Sequence, residues 1–237
     1  MSNREQRRDQ RRSKAGKDYD TADLGNGMEQ ATVEAVMQAI GTLPDDLSWE
    51  EMAPSVIPVL PRRRAMPPAG GEPFRVTLPP GVAVGFGIDI GPAFLVVGED
   101  VLRGWPITPA DLVARALGNL EHRLAPVRSR DLFRQSIDGV PVRFLQTGLG
   151  CASALILLPS DLMRVFGGGP QVLIAPMRDL LISLPADVDR MFAAWLMDEL
   201  ASMDPNGLAL ECFVLDGGVL RYERLPALDS HTSGWRP

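Results

Sequence analysis

Reactive side chains are sparse in this chain of 237 residues. Its two histidines, His122 and His231, have no cysteine or carboxylate partner at metal-ligand spacing, so no zinc site is expected. Ser153 and Ser160 have no local histidine; a catalytic triad would have to borrow His122 from an outward helical face or His231 from a loose tail. Cys151 and Cys212 each lie inside an apolar run, the setting of a small core hydrophobe in a reducing compartment. The carboxylate pairs Glu99-Asp100 and Asp187/Asp189 fall at turns and helix starts, where the helix dipole and solvent account for them. Four polar residues remain as binding candidates. Asp89 is enclosed by Gly87 and Gly91, Asn119 sits at the edge of a helical apolar stripe, and Arg178-Asp179 is embedded between strongly apolar flanks, as a binding-face anchor or a turn-stabilising pair. No catalytic residue, metal ligand or cofactor is assigned.

Composition sets the frame for those residues. A hydrophobic content of 45% in a chain of this length suffices for a core without staples. The net charge of −6 hides an asymmetry: residues 1–17 carry seven Lys/Arg against two Asp/Glu, leaving −11 for the remainder. An acidic body repels a phosphate backbone, so nucleic acid is not expected as a partner except through the basic tail. No stretch has the length and apolarity of a membrane span or a leader, which points to a cytoplasmic protein with no membrane partner.

The elements that must position these residues follow from periodicity. Residues 1–25 lack it and read as a disordered basic tail. Val33, Val36, Met37 and Ile40 predict an amphipathic helix stopped by Gly41, within an N-terminal appendage over 26–60 that also holds a short helical turn capped by Ser48 and an edge strand at 56–60. Residues 61–80, rich in proline, read as a linker to a main domain over 81–225, with a tail at 226–237. Strands are expected at 84–90 and 93–97, then a helix with Thr108 as N-cap and Pro109 in its first turn. A strand pair follows around Asp138-Gly139, then a buried strand at 152–158 leading into a short helix that ends at Gly167, with a broken helix throughout as the alternative. The central feature is a hairpin over 172–184 whose turn includes Pro176, followed by a helix over 187–203 and a final hairpin around Asp216-Gly217-Gly218. Strand pairs alternating with single helices predict an α+β fold with a mostly antiparallel sheet.

Two resemblances bear on function. Gly87-Ile-Asp-Ile-Gly91 resembles the first phosphate loop of the actin, Hsp70 and sugar-kinase superfamily, with Gly167-Gly-Gly169 and Asp216-Gly-Gly218 resembling its adenosine-side and second phosphate glycines. That resemblance implies that Asp89 serves a nucleotide-bound metal, as in a phosphotransferase or ATPase. Pro92 stands where the superfamily has Thr or Ser, the two later glycine segments come in the wrong order, and two hairpin turns plus a helix stop explain all three. The order of segments also resembles the YtpQ-like family of uncharacterised bacterial proteins. It is carried by Val56-Ile-Pro-Val-Leu60, Gly87-Ile-Asp-Ile-Gly91, the helix from Ile107 through Leu120, Ala152-Ser-Ala-Leu-Ile156 and Ile174-Ala-Pro-Met-Arg-Asp-Leu-Leu181. It implies a fold and no reaction. The expectation is therefore a non-catalytic protein-binding module acting through a sheet edge or a face near the central hairpin, with a nucleotide-dependent phosphotransferase as the alternative.

Overall fold

A computed structural model describes residues 30–43, 47–62, 72–91, 94–204, 207–209 and 212–228. The expected disordered tail and residues 63–71 of the expected linker lie outside these residues. The chain falls into two units. The described part of the smaller includes helix α1 (Gln30–Gly41), with Met37 and Ile40 exposed.

The larger unit runs from Ser48 to Asp89 and resumes at Leu95. Its first sheet contains β1 (Val56–Val59), β2 (Arg75–Leu78), β3 (Val82–Asp89) and β4 (Phe94–Val96), with β3 paired to both β1 and β2. This corrects the expected boundaries. β1 and β2 belong to the same sheet as β3, because Val56, Ile57, Val82, Val84 and Phe86 need one another to leave water, and prolines between strands do not prevent pairing beyond them.

The second sheet has the order β10-β9-β7-β8-β6-β5 and is antiparallel throughout. Its strands are β5 (Phe133–Ile137), β6 (Val140–Leu145), β7 (Gln171–Met177), β8 (Leu180–Pro185), β9 (Cys212–Asp216) and β10 (Val219–Glu223). The fold is α+β, and the hairpin β7–β8 is its centre: nearly every residue of both strands is buried, as their unbroken apolar runs require. Pro176 is not in the turn. β7 continues through it to Met177, the pairing shifts register between Ile174 and Met177, and the freed Pro176 carbonyl accepts the Leu208 N–H at 2.9 Å.

Helices cover both sheets. Besides α2 (Trp49–Met52) and α3 (Glu99–Gly104), α4 (Pro109–Leu124) starts in a capping box formed by Thr108 and Asp111 and lays Leu112, Ala116, Leu120 and Leu124 inward, near β1. Residues 152–157 form a buried 3-10 helix rather than the expected strand, followed by α5 (Pro159–Phe166), so the broken-helix alternative is the one realised. α6 (Arg190–Ser202), capped by Asp189, packs Phe192, Ala193, Leu196 and Met197 into a core cluster with Val172, Ile174, Ile182 and Cys212. The sheets are stitched where Arg62 bridges Leu208 and the Ala209 N–H reaches the Pro61 carbonyl at 3.0 Å.

Candidate functional site

The two residues of the β7–β8 turn act at long range. Asp179 accepts five hydrogen bonds from one loop: its Oδ1 takes the Thr147 hydroxyl at 2.5 Å, the Cys151 N–H at 3.2 Å and the Ala152 N–H at 3.1 Å, while its Oδ2 takes the N–H groups of Thr147 at 3.2 Å and Gly148 at 2.6 Å. Arg178 offers its carbonyl to both the Ser153 N–H and hydroxyl, at 3.0 and 2.7 Å. These bonds explain why 152–157 coils instead of extending. A carboxylate collects the N–H groups at the start of the 3-10 helix, and the Ser153 side chain is held by the turn below it.

Asp89, Asn119, Arg178 and Asp179 gather in one neighbourhood. Asp89 closes β3 and is paired with Arg123, one helical turn beyond Asn119 on α4. Asn119 donates its amide to the carbonyls of Ala53 at 2.7 Å and Val56 at 2.8 Å, fastening the helix to the chain entering β1. Burial, then the nearby Arg62, pull the Arg178 guanidinium down to about 10, with Asp204 and Asp89 opposing. Burial pushes the Cys151 thiol up to about 11, helped by Asp179 and Asp89 and opposed by Arg123, while Cys212 rises to about 12 through burial and then Glu223. Neither thiol is a nucleophile at neutral pH. The neighbourhood is a polar seam whose groups hold the fold together.

The three glycine segments divide between the two ends of β7. Gln171, at its start, donates to the carbonyls of Gly167 and Gly169 and pairs with Leu215, and a methyl group added to Gly218 would come within 2.9 Å of Met163 Sδ, itself 3.9 Å from one added to Gly168. Asp89 instead lies within electrostatic reach of Arg178, beyond the far end of this strand, which is about 20 Å long at ~3.3 Å per residue.

The chemistry left available lies at an outer strand. β5 pairs only with β6 among the described residues, and Phe133, Arg134, Gln135 and Ser136 are all exposed, Phe133 by 63%. The turn Asp138-Gly139 joins the strands with positive φ at both residues, 50° and 81°, a two-residue type I′ connection. Its flanking pair Ile137↔Val140 is hydrogen-bonded in such a turn, and alternation then turns the N–H and C=O groups of Phe133, Gln135 and Ile137 toward β6. The backbone groups of Arg134 and Ser136 face the open side. Pro141, opposite Ser136, fits this register because a proline there withholds no bond from β5.

Behind this edge lies Arg143, whose guanidinium donates to the Phe166 carbonyl at 2.8 Å, Gln171 Oε1 at 2.7 Å and the Ser183 hydroxyl at 2.8 Å and sits 5.7 Å from the Phe166 ring centroid. Reading the sequence missed Arg123, Arg134 and Arg143. The signal present was the run Phe133-Arg-Gln-Ser-Ile137, too polar in its middle for an inner strand.

No family model, curated protein or solved structure matches the chain. No helix among the described residues is long and apolar enough to cross a membrane.

Proposed function

We propose that this protein is a non-catalytic interaction module that takes an extended segment of another protein onto β5 as an added strand. The observation that carries the reading is the open β5 edge: two residues whose backbone groups face outward, flanked by an aromatic side chain 63% exposed. The opposite outer strand, β10, is also exposed in part, but its Glu223 carboxylate is already held by Arg190 and its Tyr222 ring lies against Phe213. A phosphotransferase using Asp89 finds less support, because that carboxylate is engaged by Arg123 and the glycine segments do not share one end of β7. A cytoplasmic location and kinship with the YtpQ-like family belong to the same proposal.

The test is retention of a partner from the lysate of the source organism by the full chain and by Ser136→Pro, which removes an outward N–H without touching the β6 pairing. A protein kept by the wild type and lost by the folded variant supports strand addition. A strict monomer in ultracentrifugation that retains nothing overturns it.

A further inference from the structure

β5 does more than offer backbone. Arg134 stands directly opposite Arg143 in a pair whose backbones are not bonded to each other, the arrangement that brings cross-strand side chains closest. Like charges so placed repel. Arg134 reaches only the Ser129 carbonyl, at 3.4 Å, and Arg143 only neutral oxygens, so neither guanidinium meets a carboxylate among the described residues. Burial, and then Arg134, lower the pKa of Arg143.

The surrounding sequence adds to this charge. Residues 125–143 carry four arginines against two aspartates, a net +2 in a chain of net −6. Of the aspartates, Asp131 is committed to the Arg128 N–H at 2.8 Å and lies 3.9 Å from Arg130, and Asp138 is in the turn at the far end of the strand. Arg164, whose guanidinium shares the Val127 carbonyl with that of Arg128, is matched by Asp161. A second copy of this chain would bring the same positive strand against itself.

Resting on the strand-addition reading, we infer that the partner segment is acidic: an extended peptide with a Glu or Asp opposite Arg134 and apolar residues on either side of it. The alternation follows from the pleat. The residue paired with Arg134 shares the face of Arg134 and Arg143, where a carboxylate relieves their repulsion, and its neighbours fall on the face of Phe133. Nucleic acid would answer the charge but would use neither the outward N–H and C=O groups nor the register.

The test is selection of a random-peptide phage library on the full chain, followed by affinity measurements on synthetic copies of the enriched peptides. The expected peptides alternate apolar and acidic residues, weaken about threefold to tenfold against Arg134→Glu at low salt, and recover when their acidic residue is exchanged for Lys. Ser136→Pro and, as a second edge variant, Phe133→Ala should weaken every one of them. Peptides that depend on Ser136 but carry no acidic bias overturn this inference and leave strand addition standing. If no peptide depends on Ser136 or Phe133, strand addition itself falls. Retention of a single-stranded RNA by the wild type and its loss in Arg134→Glu would make the patch a nucleic-acid contact and overturn the inference as well.

Discussion

Asp179 and Thr147 are 32 residues apart in the chain, yet Asp179 Oδ1 accepts the Thr147 hydroxyl at 2.5 Å while Oδ2 accepts the Thr147 N–H. The central hairpin thus carries its own clamp on the loop that follows β6. Asp179→Ala leaves five donors to be rehydrated or stranded in a half-buried site, so a loss of about 2–3 kcal/mol is expected by urea denaturation. Asp179→Asn should lose nearly as much, since an amide nitrogen cannot accept where one carboxylate oxygen did. A change below about 0.5 kcal/mol in both would show that the loop holds itself.

Asn119 fastens α4 to two carbonyls more than sixty residues upstream. Asn119→Leu should cost about 1–3 kcal/mol, because the carbonyls of Ala53 and Val56 lose their donor in a partly buried place. Hydrogen exchange would report the loss at the junction of α2 and β1, whereas a surface residue would produce no localised change.

Raised thiol pKa values predict an alkaline weakness. Unfolded cysteines ionise near 9.0, while folded Cys151 and Cys212 keep their protons to about 11 and about 12. The folded state therefore binds more protons above about pH 9, and stability falls as pH rises, by about 2 kcal/mol between about pH 9 and 10 for the two groups together. Cys151→Ala/Cys212→Ala should flatten that slope. In the native protein a thiol reagent should find neither sulfur at about pH 8, and both after denaturation.

Asp89 is about one-fifth exposed and held by Arg123, so Asp89→Asn should cost about 1–2 kcal/mol by leaving the guanidinium without its counter-charge. Calorimetry with ATP and magnesium should give no binding heat in the wild type. Binding that disappears in Asp89→Asn would restore the phosphotransferase reading.

Much of the architecture is present in local pattern. Thr108 and Pro109 start α4, Gly41 ends α1, Asp138-Gly139 and Gly217-Gly218 turn their hairpins, and the apolar runs on either side of Arg178-Asp179 mark the sheet's centre, because caps, turn dihedrals and burial on both faces each demand particular residue types over a few positions. What no short window contains is which distant groups meet. Ala152-Ser-Ala-Leu-Ile-Leu157 has the composition of a strand and coils because Asp179 and the Arg178 carbonyl bind its first turn. Pro176 has the chemistry of a turn and lies in a strand because Leu208 uses its carbonyl. The exposed strand β5, and the opposition of Arg134 to Arg143 across it, arise from sheet order and register. Those are settled by the simultaneous burial of all six strands, and only the tertiary structure could decide them.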